Sequence, residues 1–425
     1  MSHTKTNKLS STMVVATCQQ TLSMFAGLVM VPLIIARALG CSAGDSQNIV
    51  TIAILVGGLS TALQCAHVAG IGSGYLLMMG SSSLFIAPSI MAGKAGGLPL
   101  VFGMTLALAP VELILAPLSK YLRKLAPPSV IGVIVTLIAM AVLPVSMRQF
   151  AGGAAKDFGS LKYLTIGTIT IFTILFAQFS PWKLLRTGSI IAGLFVGYII
   201  GLFAGLTDFT QVIEAPWLGY PKPFWYGMPK FSSNFILPFA IAYFLTTIET
   251  FGDIYAIAHV SGDNIDEIPQ KRIRGGLIAD AIGSLIAGLL GTTPNTSFSG
   301  NIAIAKMSGI TKNTIGFGVG AALVALSFLP KLSALIVSTP ACVLGGSMLI
   351  ACAFLLDVGL GMLRSCDDSP LVATIGITAG LAVQFVPDYA NAAPSFLTPF
   401  LQSSICIGAL TAGIAKLLIP RNPTP

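Results

Sequence analysis

Stretches of about twenty apolar residues recur along the whole 425-residue chain, near 12 to 36, 48 to 68, 98 to 119, 127 to 147, 161 to 180, 187 to 206, 233 to 258, 274 to 291, 313 to 330, 333 to 356, 368 to 386 and 396 to 419. A helix of that length spans the hydrocarbon core of a bilayer, and it satisfies its own backbone donors and acceptors where no water can. The pattern predicts an all-α polytopic membrane protein. Charged residues are only 9% of the sequence, which excludes a soluble globular class and leaves no room for an extramembrane catalytic domain. The opening MSHTKTNKLSSTM has no small-residue cleavage site before its first apolar run, so the first span is expected to remain in the mature protein.

The formal net charge of +8 does not point to nucleic acid, because the basic residues are scattered singly over short loops and form no stripe or patch. They fit a topology signal instead. With both termini on one side, alternate loops place about 15 Lys/Arg there, including Lys120, Arg123, Lys124, Lys183, Arg186, Lys271, Arg272 and Arg274, against about 8 opposite. The richer side is expected to be cytoplasmic, in a plasma (inner) membrane. Seven cysteines without C-x-x-C spacing indicate packing and not a metal or redox centre, and no cofactor is indicated.

Two further apolar segments are too short to cross alone and begin with small polar residues: GSSSLFIAPSIM from Gly80 and NTSFSGNIAIAKM from Asn295. They read as half-helices entered from an extended stretch. Non-helical backbone at membrane depth is tolerated only where protein or a watery cavity satisfies it, so two such interruptions predict one buried polar site. One is the third segment of the chain, and the other is the third of a second half beginning near residue 233. Fourteen segments in two halves of seven follow, and because seven is odd the halves must insert with opposite orientation, as inverted repeats. Between them, residues 207 to 232 form a long loop rich in Pro and aromatics. Trp217, Trp225 and Tyr226 are expected there as an interfacial belt.

The run IAYFLTTIETFGDIYAIA carries Glu249 and Asp253 four residues apart, on one helix face. A carboxylate in the bilayer costs roughly 2.5 kcal/mol or more, so such acids mark substrate or ion pathways. As like charges in a low-dielectric site the two should not both ionise cheaply, which suits proton coupling. Asp280, in GGLIADAIGSLIAGLLG, is a third acid able to relay a proton or to bond a neighbouring hydroxyl. Glu112, between prolines in LALAPVELILAP, is a fourth. Thr246, Thr247 and Thr250 beside Glu249 leave sodium open as the coupling ion. No nucleophile, metal cluster or phosphate loop stands out, so no enzyme is indicated.

QQTLSMFAGLVMVPLI (19 to 34), GSSSLFIAP (80 to 88), IETFGDIYAIAHVSG (248 to 262), GGLIADAIGSLIAGLLGT (275 to 292) and PNTSFSGNIAIAKMSGITKN (294 to 313) resemble, in order and spacing, the nucleobase-ascorbate transporter family, also called nucleobase:cation symporter family 2. The resemblance implies a core domain (1–124 and 233–331), a gate domain (125–232 and 332–425), a homodimer, and alternating access by an elevator motion of the core. It implies that Glu249 binds substrate, and that Glu249, Asp253 and Asp280 serve proton coupling. It also implies that Ser82, Ser83 and Leu84 offer backbone amides to the substrate, with Phe85 either stacking on a flat ring or packing in the core.

This chain departs from the family pattern at several points. Gly300 stands where many relatives carry Gln or Glu, so backbone N–H groups at Gly300, Asn301 and Ile302 would bind substrate unaided and leave room for a larger ring. Gln20 replaces a frequent histidine and Ser83 a frequent aromatic. The T-x-G-D form after Glu249 is more similar to purine than to uracil permeases. The resemblance therefore implies import of a purine base of the xanthine, hypoxanthine, guanine or urate class with a proton; uracil or ascorbate as cargo, or a passive channel or facilitator, is the alternative.

Overall fold

The computed structural model describes residues 2–419 apart from 126, 154, 183–184, 187, 208, 221–223, 332–333, 335–337, 365, 367, 369 and 395–400. Lys183 of the basic loops lies outside the described residues, as does part of the aromatic-rich loop. Among the described residues, fourteen helices have ten or more residues. In the first half these are α1 (Ser2–Ala38), α2 (Ala43–Cys65), α3 (Ile86–Leu108), α4 (Pro110–Leu125), α5 (Pro128–Phe150), α6 (Leu161–Gln178) and α7 (Ser189–Phe203). In the second half they are α8 (Ile236–Val260), α9 (Gln270–Leu290), α10 (Ser299–Ser308), α11 (Asn313–Ser327), α12 (Ala341–Arg364), α13 (Pro370–Phe385) and α14 (Ser404–Leu418). Eight helical stretches among the described residues are long and apolar enough to cross a membrane.

The two interrupted segments take the predicted form. Strand β1 (Met79–Ser81) precedes a short 3-10 turn and α3, and β2 (Asn295–Ser297) precedes α10. Gly97, at φ 72°, breaks α3 where the sequence places a segment boundary, a backbone conformation that glycine adopts without steric cost. Gly309, at φ 67°, ends α10 in the same way. Of the expected run 333 to 356, residues 333 and 335–337 lie outside the described residues; the described helix is Ala341–Arg364, which follows Pro340 and continues beyond the run through Asp357 to Arg364.

The helices pack in two groups. In one, α2 lies against α11 and α9, α9 against α4 and the α3 segment, and α8 against α3, α4 and α9. In the other, α12 lies against α5 and α6, and α14 against α13 and α5. The groups meet where α8 faces α5 and α10 faces α12. Gly252 allows the first approach, since a Cβ there would stand 2.9 Å from Ile134 Cγ2. Ile304 and Met307 of α10 cluster with Ile174, Ile190 and Ile350 at the second, a junction of aliphatic side chains. Lys306 and Asp357 pair across its edge at 2.5 Å.

The expected aromatic belt is only partly present. Trp217 is exposed, but Tyr226 is buried, stacks edge-on with Phe102 at 4.8 Å between centroids and donates to Gly288 O at 2.9 Å. Gly291, in a left-handed conformation beside Tyr226, leaves the opening that the ring fills. Trp225 lies with it against Phe102.

Small residues allow the closest crossings, as in other membrane bundles. A Cβ at Gly58 would stand 2.8 Å from Gly320 O and 3.0 Å from Val324 N, backbone atoms that cannot rotate away, whereas one at Gly300 would meet nothing within 4 Å. Gly58→Ala is expected to destabilise the detergent-purified protein by about 1–3 kcal/mol through overpacking. Gly300→Ala should leave the thermal unfolding midpoint within about 2 °C of wild type, an effect of a few tenths of a kcal/mol.

Candidate functional site

β1 and β2 pair antiparallel with Met79 opposite Ser297, Gly80 opposite Thr296 and Ser81 opposite Asn295. The pairing extends past both strands: Phe298 N–H donates to Met78 O and Ser82 N–H to Pro294 O, each at 2.9 Å. Side chains complete the backbone's requirements. Thr61 Oγ1 accepts from Met79 N–H at 3.0 Å, Ser284 Oγ accepts from Asn295 N–H at 3.1 Å, and Ser81 Oγ donates to Leu28 O at 3.1 Å. This accounts for extended backbone deep in an apolar bundle. It also brings the N-termini of two half-helices, with their unpaired N–H groups and positive dipole ends, to one level of the fold.

Helix α8 passes beside this crossing. Asp253 is fully buried, and its Oδ2 accepts from Ser297 Oγ at 2.6 Å and Ser299 Oγ at 2.8 Å. Asp280 on α9 is also buried, with Oδ2 accepting from Thr250 Oγ1 at 2.6 Å. The Thr250 and Ser297 hydroxyls lie 3.1 Å apart, so hydroxyls join the two acids into one polar file. Glu249, one turn before Asp253 on the same face of α8, is half-buried. Asp253 Oδ1 and Asp280 Oδ1 have no hydrogen-bond partner.

The remaining predicted residues divide by accessibility. Ser83 and Gly300, at the two half-helix N-termini, are exposed, and Leu84 is half-buried. Ser82 is buried and its N–H is engaged by Pro294 O, which leaves that amide no capacity for another acceptor. Phe85 is fully buried, with its ring centroid 4.6 Å from Tyr243 and 5.9 Å from Phe239, so of the two readings of this ring the structure has the packed one. Ile302 is likewise buried in the main apolar cluster. Asn301 N–H donates to Phe298 O at 3.1 Å. The Asn301 amide is clasped by Gln20: Nδ2 donates to Gln20 O at 3.0 Å and to its Oε1 at 2.5 Å, and Gln20 Nε2 returns a bond to Asn301 O at 3.2 Å.

Several side chains around these acids were not singled out from sequence. Ser297 and Ser299 hold Asp253, and Phe298 places its ring against Gly80 and Gly27. The alternation in NTSFSGN was the available signal, since residues two apart in an extended stretch share a face. Thr246 and Thr247 donate to Glu112 Oε1 at 2.7 Å and to Tyr243 O at 2.8 Å, and Thr250 to Asp280, so all three hydroxyl protons are already engaged.

The Gln20–Asn301 clasp ties α1 to the start of α10, and breaking it leaves a buried amide without partners. Gln20→Ala is expected to lower stability by about 1–3 kcal/mol, the cost of an unsatisfied buried donor and acceptor. In a double-mutant cycle, Gln20→Ala with Asn301→Ala should cost less than the sum of the single changes, read from thermal unfolding midpoints.

Residues 11–388 match the model of a permease family, Xan_ur_permease. Uric acid permease PucK of Bacillus subtilis (strain 168) is 30% identical over 93% of this chain and 92% of its own length. Xanthine permease XanQ of Escherichia coli (strain K12) is 30% identical over 94% of this chain and 89% of its own. The transmembrane domain of a cyanobacterium bicarbonate transporter BicA superposes with a TM-score of 0.52 over 96% of this chain and 97% of that one, a likeness of fold at 15% identity. The chain belongs to this permease family, the nucleobase-ascorbate transporters, and is an integral multi-pass membrane transport protein and not an enzyme.

Proposed function

We propose that this protein imports purine nucleobases of the xanthine, hypoxanthine, guanine or urate class by proton symport. The observation that carries the reading is the half-buried carboxylate of Glu249 on the helix that runs beside a crossing of two half-helix N-termini, one of which carries Gly300 with open space around it. A carboxylate accepts two hydrogen bonds in one plane, which suits adjacent ring N–H groups of an oxopurine. The amides of Gly300 and Ser83 supply donors for ring carbonyls from the opposite side. The uric acid and xanthine permeases among the relatives support a purine over a pyrimidine. Asp253 and Asp280, held by hydroxyls alone, suit a proton taken up with the base: each carboxylate gains a partner when protonated or when its neighbour is.

The two packing groups support an elevator. Segments α1 to α4 and α8 to α11 (residues 1–124 and 233–331) would form a core carrying the whole site. Segments α5 to α7 and α12 to α14 (125–232 and 332–425) would form a gate against which the core slides on the aliphatic junction of α10 with α12. The equivalent places of β1–α3 and β2–α10, third in each half, support two inverted repeats of seven segments. The protein is proposed to lie in the inner membrane, surrounded by lipid, as a homodimer with both termini cytoplasmic.

Uptake of radiolabelled purines, uracil and ascorbate into proteoliposomes tests this reading, with and without an inward proton gradient. Purines should accumulate above the equilibrium level only when the gradient is imposed. Uptake confined to uracil or ascorbate would overturn the specificity, and gradient-independent equilibration would mean a facilitator. Gly300→Gln, which fills the open position, is expected to weaken purine uptake by roughly tenfold, about 1.4 kcal/mol.

A further inference from the structure

Glu112 is an intramembrane carboxylate that the reading above leaves unused. It lies two residues beyond Pro110 on α4 and is 1% exposed. Its Oε1 accepts from Thr246 Oγ1 at 2.7 Å, while Oε2 has no hydrogen-bond partner. One turn farther along α8, Thr250 holds Asp280 Oδ2 in the same way and Asp280 Oδ1 is also without a partner. Two threonines four residues apart share a helix face, so α8 presents matching hydroxyls to carboxylates from α4 and α9, two helices that pack directly on each other.

The other groups facing the pair supply no compensating charge. Tyr243 of α8 donates its hydroxyl proton to Thr105 O at 2.9 Å and approaches Ser284 of α9. Asp253 stands beyond Thr250 and Ser297, and Glu249 lies one turn before it on α8; both are acids and neither offers a positive charge. Among the described residues no Lys, Arg or His forms an ion pair with either acid. Two neighbouring carboxylates buried without a cation cost several kcal/mol, and one proton between them removes most of that cost. A proton on either residue also supplies an O–H where an oxygen now lacks a partner.

We propose that Glu112 and Asp280 form a carboxylate pair that holds the coupling proton behind the substrate pocket, with Glu112 as the residue that receives it. The transfer balances within the pair: H+ leaves an oxygen of Asp280 and joins one of Glu112, one carboxyl becoming carboxylate as the other becomes carboxyl. The pair keeps a charge of minus one throughout. Asp280 in turn meets the pocket through Thr250, Ser297 and Asp253, so substrate binding and proton storage occupy opposite ends of one file. This inference rests on the proton-symport reading.

Its test is the ratio of proton influx to substrate influx in proteoliposomes, with a trapped pH dye and radiolabelled xanthine followed in parallel. In Glu112→Gln the ratio is expected to fall at least tenfold; a structural lesion would lower both fluxes together and leave the ratio unchanged, which would overturn the proposal. Should that variant fail to fold, Thr246→Val carries the test: removing the hydroxyl from Glu112 should shift the pH dependence of accumulation by about one unit, and an unmoved profile would contradict the proposal. Accumulation by wild type on a sodium gradient alone would assign the pair to a cation and overturn it as well. Wild-type protein without proton-driven accumulation would instead sink the symport reading itself, whereas normal wild-type coupling with an unchanged ratio in Glu112→Gln sinks only this inference.

Discussion

Six strand residues hold the site together. The antiparallel pairing of Met79–Ser81 with Asn295–Ser297 lets the backbone leave helical geometry deep in the bundle without orphaned N–H and C=O groups. Once the strands cross, the starts of the two half-helices face the same level of the bundle. Ser297, at the end of β2, and Ser299 just beyond it then reach Asp253. Hydrogen bonds to Thr61, Ser284 and Leu28 anchor the crossing to α2, α9 and α1, so the site is supported from three helices.

The acids gathered here are held by hydroxyls and not by cations. A lysine or arginine partner would fix each carboxylate as an anion, whereas a serine or threonine donor stabilises it modestly and leaves protonation accessible. The described ion pairs lie elsewhere. Arg272 meets Asp263 near the α8–α9 turn, Lys416 meets Asp368, and Lys306 meets Asp357 where the two helix groups touch. The last is partly solvent-exposed, and such a pair contributes only about 0–1 kcal/mol. The junction beside it is aliphatic, with few directional bonds among the described residues. Gln178, which donates to Met307 O at 2.9 Å, is one of those few.

Much of this architecture was legible before any coordinates. Long apolar runs announce their helices, and the two short segments at Gly80 and Asn295 betray their half-helical form because an apolar stretch of ten or so residues opened by Ser and Thr cannot span a bilayer. Glu249, Asp253 and Asp280 stand out because charge is so costly in that setting. Tertiary packing was not legible. Nothing local in EAPWLGYPKPFWYGMPK distinguishes the exposed Trp217 from Tyr226, which sits in the opening left by Gly291. Likewise, the first turn of a half-helix looks uniformly available in sequence, yet Pro294 O engages Ser82 N–H, Phe298 O engages Asn301 N–H, and Gln20 clasps the Asn301 amide. Such partners come from residues as many as 281 positions away, as Gln20 does for Asn301.

Glu249 is the proposed acceptor for the purine ring. Isothermal titration of xanthine and hypoxanthine into the purified protein measures this most directly, comparing wild type with Glu249→Gln. The account predicts saturable binding by wild type and affinity weakened by roughly tenfold to a hundredfold in the variant, the loss of a charge-assisted hydrogen bond of about 1.5–3 kcal/mol. Equal affinity in the two proteins would contradict it.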